Sequence, residues 1–182
     1  MKIVRWGRPM SETRHPMAIV VMGVCGTGKS TIGREIADRL GYPYEDADDF
    51  HPESNVVKMR SGTALTDADR KPWLDRLRAL MTQHLTDGSG IVLACSALRE
   101  DYRAQLKPAD HDLKWLFLQG DRELLAQRLQ SRSDHYMPPT LLDSQLATLE
   151  VPDPNEALWC NVIDPPETIV QTAWEHFTQT TS

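Results

Sequence analysis

One stretch constrains this chain more than any other: MAIVVMGVCGTGKSTIGREIADRL, residues 17–40. A continuous apolar run at 17–23 reads as a central strand covered on both faces. It leads into GVCGTGKS at 23–30, which fits the phosphate-loop pattern G-x-x-x-x-G-K-S/T. An amphipathic stretch follows, with Ile32, Ile36 and Leu40 on one face and Gly41 placed to cap it. Gly23, Gly26 and Gly28 let the backbone bend, so that the N–H groups of Gly23, Val24, Cys25, Gly26, Thr27 and Gly28 can face phosphate oxygens. The helix N-terminus, with Lys29, Ser30 and Thr31, adds its positive dipole. Lys29 is expected at the β/γ-phosphates of ATP, and the Ser30 hydroxyl at Mg²⁺.

The rest of the chain alternates in the same manner. GIVLACS (90–96) and LKWLFLQG (113–120) repeat the buried-strand signature, LWCNVID (158–164) is weaker, and YPYEDAD (42–48) is polar enough for a place near an edge. Helices are expected between them. Pro72 suits a first turn, with Trp73, Leu77, Leu80 and Met81 facing inward. Ser96 can cap 97–106, which carries Leu98, Tyr102 and Leu106. Further helices fall at 121–132 and 169–177. This is α/β patterning with a parallel sheet, in one domain at 17–182 behind a basic tail at 1–16.

Bulk composition excludes several classes of function. The net charge of −6 supplies no electrostatic excess for nucleic acid or an anionic membrane. No apolar run approaches the length needed to span a bilayer, and the N-terminus lacks the apolar core of a secretory signal. Cys25, Cys95 and Cys160 are widely spaced without a C-x-x-C pair, as in a cytoplasmic protein with reduced thiols. A GTPase is disfavoured by the lack of N-K-x-D. No apolar strand ends in a Walker-B aspartate either, because GIVLACS ends in Cys95 and Ser96.

The one acidic strand end opens EDADDFHPESN (45–55), with five carboxylates in eleven positions. Like charges this dense need partners. Asp46 and Asp48 are expected at the tip of the second strand, where alternation puts both on one side and turns Asp49 away. One carboxylate can then hold a Mg²⁺ water while the other faces an acceptor hydroxyl.

Three strings carry a more specific likeness. DADDFHPESNVVKMRSGTALTDADRKPWL, CSALREDYRAQL, and RLQSRSDHYMP with LLDSQLATLE resemble the gluconokinase family in order and spacing, over about residues 17–169. Cys25 departs from the family's usual Ser, Tyr136 from Phe and Asp134 from Gly. The resemblance implies a P-loop kinase three-layer sandwich: a central parallel β-sheet, a helical acceptor flap at about 54–85 and a lid at about 128–140. It implies ATP-dependent phosphorylation of D-gluconate at the 6-hydroxyl, and a homodimer.

On that reading Asp48 orients the hydroxyl and accepts its proton, and Asp46 joins Ser30 at Mg²⁺. Arg70, or Arg99 and Arg103, holds the substrate carboxylate. His51 and Asn55 bond hydroxyls or cap their turn, and Lys58 lies in the same segment. Arg128 and Arg132 meet the triphosphate, and Asp164-Pro165-Pro166 lies near adenine. Another small-molecule kinase, of the shikimate or nucleoside-monophosphate type, and a non-catalytic nucleotide-binding regulator are the alternatives.

Overall fold

In the computed structural model, residues 15–131 and 139–179 are described. The apolar run at 17–23 forms strand β1, Ala18–Met22, every residue of which is buried. Period-2 alternation divides it between two cores. Ile19 and Val21 face one cluster, while Ala18, Val20 and Met22 face the other. Helix α1 follows at Lys29–Leu40, burying Ile32 and Ile36, each worth about 1.5–3 kcal/mol of apolar burial. Gly41 ends it in the left-handed conformation, its N–H turned back to the Ala37 and Asp38 carbonyls.

β2 is only Tyr44–Asp46. The expected strand through Asp48 is cut short because the Asp46 side chain accepts from the Asp48 N–H and starts a 3-10 turn at Ala47–Phe50. α2 spans Glu53–Arg60 and α3 spans Asp67–Thr86. α3 begins earlier than Pro72 suggests. Thr66 and Asp69 form a reciprocal capping box, and Pro72 falls inside the helix. Leu74 and Leu85 join Trp73, Leu77 and Met81 in the buried stripe, whereas Leu80 is half-buried. The segment expected as a flap therefore contributes much of α3 to the core.

β3 is Ile91–Ala94. α4 runs over Glu100–Leu106, not from residue 97, and Ser96 does not cap it. Ala97 adopts φ +44°, which no right-handed helix accommodates, so the start moves to Glu100 with Arg99 at the cap position. β4 is Leu113–Gln119, α5 is Arg122–Gln130 with Asp121 accepting from Leu124 N–H, and α6 is Pro139–Thr148. β5 (Leu158–Asn161) and α7 (Pro166–Gln179) complete the chain.

All five strands are parallel, in the order β2-β3-β1-β4-β5. Acidic β2 is at an edge, as its polarity suggested. α1, α5, α6 and α7 contribute Ile36, Leu125, Leu142 and Ile169 to the core on one face. α3 and α4 contribute Leu77 and Leu106 to the other. The result is the expected three-layer sandwich. Val21 of β1 and Asp46 of β2 both pair with Ala94, so these strands end at one level and deliver their following loops to the same sheet edge. Among the described residues, no helix is long and apolar enough to cross a membrane.

Candidate active site

The loop leaving β1 turns tightly because it has no side chains where the turn is closest. A Cβ on Gly23, at φ +148°, would lie 2.7 Å from the Leu118 carbonyl oxygen. Thr27 and Lys29 close the loop on itself, since Thr27 Oγ1 donates to the Val24 carbonyl at 2.9 Å and Lys29 Nζ donates to the same oxygen at 3.0 Å. Burial lowers the Lys29 pKa, and the Asp48 carboxylate opposes that drop ahead of Cys25, Cys95 and Asp46. Among the described residues the Lys29 hydrogen bond is to a neutral carbonyl, which leaves the cation well placed to move to an incoming polyanion.

The acids stand opposite. Ser30 Oγ donates to Asp46 Oδ2 at 3.3 Å, and the Tyr44 hydroxyl reaches the same oxygen at 3.3 Å. Asp46 Oδ1 accepts the Asp48 N–H at 3.1 Å. Asp48 is reached by this turn rather than by strand alternation, and its side chain is 89% exposed. Crowding by protein atoms, then the Asp46 charge, push its pKa above the usual carboxylate range, while Lys29 pulls it down. Water around so exposed a group tempers that rise. Nearby Cys95 is fully buried, which pushes its thiol up to about 12 and keeps it protonated.

The turn carrying Asp48 is held from α3. Trp73 Nε1 donates to the Ala47 carbonyl at 2.7 Å, and the indole stacks on His51 with centroids 4.2 Å apart. His51 Nε2 lies 4.0 Å from Asp48, but burial and the Arg70 charge lower its pKa, so the neutral ring forms no ion pair there at pH 7. Asn55 is buried, donating to the Asp69 carbonyl at 2.9 Å and lying 3.4 Å from His51 Nδ1. Lys58 pairs with Asp69 at 2.7 Å. Both residues lock α2 onto the start of α3.

The three candidate arginines separate. Arg70 and Arg99 flank the Tyr102 ring at 5.5 and 5.2 Å, and the Tyr102 hydroxyl donates to Asp67 at 2.6 Å. Arg99 also bonds both Asp67 oxygens, at 3.2 and 3.1 Å, and both arginines are half-buried beside the start of α3. Arg103 is buried, donating to the Glu150 carbonyl at 2.9 Å and to the Ala97 carbonyl at 3.4 Å. It holds the strained Ala97 turn and does not share an open face with Arg99, as the i,i+4 spacing suggested.

A cleft opens on the other side of the loop, with Thr27, Gly28 and Thr31 facing Arg128, Asp164 and Pro166. Arg128 Nη2 donates to the Val162 carbonyl at 2.6 Å. Of the Asp164-Pro165-Pro166 run, Asp164 and Pro166 line this cleft. Arg132, Asp134 and Tyr136 lie outside the described residues.

Sequence reasoning missed Tyr44, Asp67, Asp69 and Gln145, and took Trp73 and Tyr102 for core alone. Trp73 and Tyr102 were indeed buried, but periodicity cannot show that a polar tip reaches a functional turn. Cys25 also differs. Its N–H, expected among the phosphate donors, is given to Gln145 Oε1 at 2.7 Å.

A parallel sheet, a glycine loop at the end of its central strand and acids at the end of edge strand β2, one strand removed, define a P-loop phosphotransferase. A family model described as shikimate kinase matches residues 25–156. The chain is 47% identical over 141 residues to a gluconokinase of Gluconobacter oxydans, covering 78% of this chain and 79% of that one. It is 42% identical over 170 residues to a gluconokinase of Arabidopsis thaliana, covering 86% and 90%. A crystal structure of a gluconokinase from Sinorhizobium meliloti superposes with a TM-score of 0.77 at 40% identity, covering 91% and 94%. The chain belongs to the gluconokinase family of shikimate-kinase-like proteins, and is a kinase.

Proposed function

We propose that this protein transfers the γ-phosphoryl group of ATP to the 6-hydroxyl of D-gluconate, giving 6-phospho-D-gluconate and ADP. The observation that carries this reading is the convergence of Lys29, Ser30, Asp46 and Asp48 at the carboxyl ends of the strands. The Arg70 charge acting on His51, next to Asp48, supports an acceptor side there.

Phosphoryl transfer passes through a loose transition state, so positioning and charge neutralisation do most of the catalysis. The loop amides and Lys29 hold the β- and γ-phosphates, and the cleft beside Arg128 receives the nucleoside. Ser30 and Asp46 present hard oxygen donors to one point, which fits Mg²⁺ carried in by the nucleotide. Ser30 and Asp46 would hold such an ion, which would supply positive charge to the triphosphate. Arg70 and Arg99 receive the gluconate carboxylate, and His51 and Asn55 shape the adjoining wall. The 6-hydroxyl gives its proton to Asp48 while its oxygen forms the new O–P bond and the bond to ADP breaks. A carboxylate with a raised pKa is a stronger base, and only the ionised form can act. The rate therefore rises as pH increases through that pKa.

The test is the initial rate of ADP release with ATP and D-gluconate. Asp48→Asn is expected to lower kcat by roughly 10²–10⁴ and to remove the acid limb of the pH profile, with nucleotide affinity retained. A wild type that ignores gluconate but phosphorylates shikimate or a nucleoside monophosphate overturns the substrate. An Asp48→Asn variant with nearly full kcat overturns the base.

A further inference from the structure

The phosphate loop is braced from outside by two helices that the loop motif does not include. The Cys25 N–H donates to Gln145 Oε1 of α6 at 2.7 Å, across 120 positions of sequence. The next residue leans on α5, since a Cβ on Gly26 would sit 3.1 Å from Leu129 Cγ and 3.3 Å from the Leu125 carbonyl oxygen. α5 and α6 are joined by a two-pronged ion pair, Arg122 Nε to Asp143 Oδ1 at 2.6 Å and Nη2 to Oδ2 at 2.9 Å.

The bond to Gln145 matters because of where it falls. Gly23, Gly26 and Gly28 all have positive φ, so the loop's peptide planes are free to tilt unless something holds them. Phosphate binding depends on the direction of each N–H. Val24 directs its carbonyl to Lys29 and Thr27, and the following peptide nitrogen is the one that Gln145 takes. The Val24 carbonyl and the Cys25 N–H belong to one peptide unit, so Thr27 and Lys29 hold its plane from inside the loop and Gln145 holds it from α6. Glutamine suits the task, because it offers a carbonyl acceptor without placing negative charge beside a polyanion.

We propose that Gln145 is a positioning residue for the nucleotide: by accepting the Cys25 N–H, it holds the phosphate loop in the orientation that receives the triphosphate. This rests on the phosphoryl-transfer reading only in requiring that ATP binds at the loop. The experiment therefore measures ATP affinity without acceptor by calorimetry, beside steady-state kinetics and thermal melting, for Gln145→Leu and Gln145→Glu.

Gln145→Leu removes the acceptor at similar size. It is expected to weaken ATP binding about tenfold, the scale of one backbone hydrogen bond lost without replacement, with KM for the sugar acid unchanged. Gln145→Glu keeps an acceptor but adds charge, so its melting temperature stays near wild type while ATP affinity still falls. Unchanged ATP affinity in Gln145→Leu, with only a lower melting temperature, overturns the proposal, because the bond would then serve the fold alone. An equal rise in KM for both substrates overturns it as well. If Gln145→Leu does not fold, Gln145→Asn decides, because its shorter side chain withdraws the acceptor from the Cys25 N–H, and wild-type ATP affinity in that variant refutes the placement. A wild type that binds ATP but ignores gluconate leaves these outcomes readable and counts against the substrate reading alone.

Discussion

Replacing Trp73 with Phe separates the two things this side chain does for the turn that carries Asp48. The ring stack on His51, at 4.2 Å, survives in Phe, but the bond from Nε1 to the Ala47 carbonyl at 2.7 Å does not. Ala47 is 1% exposed, so no solvent takes over its acceptor. An unpaired buried acceptor costs on the order of 1–3 kcal/mol, and about 2 kcal/mol is a fair centre once the lost ring atoms are included. For a chain of this length that corresponds to a fall of roughly 4–8 °C in Tm. The functional effect follows from the covalent neighbour. Asp48 is the residue after Ala47, and an error of about 1 Å in a reacting group can cost roughly 10²-fold in rate. Trp73→Phe should therefore lower kcat for gluconate by at least about tenfold, with KM for ATP unchanged because the phosphate loop hangs from β1. Thermal melting beside an ADP-release assay measures both. A variant that melts lower but keeps full kcat shows that the turn is positioned by other contacts. A variant that changes neither shows that the bond contributes nothing.

Two further substitutions test the surroundings of the acids. A Cβ on Gly33 would meet the Tyr44 ring at 2.8 Å, so Gly33→Ala, which favours an exposed helix, should here lower Tm. Overpacking of about 1–3 kcal/mol outweighs a helix-propensity gain of about 1 kcal/mol, and a higher Tm would show that the ring moves aside freely. Asp69 is held at about 2, below its ordinary 3.8, first by Lys58 and then by the Thr66 backbone and hydroxyl. A depressed carboxylate stabilises the fold fully above its unfolded value and loses that contribution as pH falls towards the folded one. Melting temperature should thus fall between about pH 4 and 2, and less steeply in Asp69→Asn. Equal slopes in the two proteins would remove Asp69 from the acid response.

Much of the fold could be read directly, and for a physical reason. Strand β1, its glycine loop and α1 are contiguous, so periodicity, turn chemistry and capping all report on the same residues. Acidic β2 could be placed near an edge because a central strand must bury both faces. Boundaries were harder to read. Pro72 looked like a helix start until the Thr66–Asp69 capping box placed the start at Asp67. Ser96 looked like a cap until the φ of +44° at Ala97 kept the helix from beginning there. In both places a local preference gave way to an arrangement that only the surrounding contacts hold.

The acids show the same division. The sequence alone determined that Asp46 and Asp48 stand beside a phosphate loop, and which residue types could hold ATP, Mg²⁺ and a sugar acid. It did so because motif and spacing are local, and because the family's strings run in order along the chain. Tertiary structure decided how Asp48 is aimed: through a side-chain cap by Asp46 and an indole of α3 bonded to Ala47, 26 positions from it, instead of strand alternation. It likewise sent Arg103 inward to Ala97 and Glu150, left Arg70 and Arg99 around Tyr102, and gave the Cys25 N–H to Gln145. The Asp46 cap is local, but it replaces the strand alternation that spacing alone suggests. Trp73, Glu150 and Gln145 are each far in sequence from the residue they hold, and a pairing between distant residues has no period for a linear pattern to reveal.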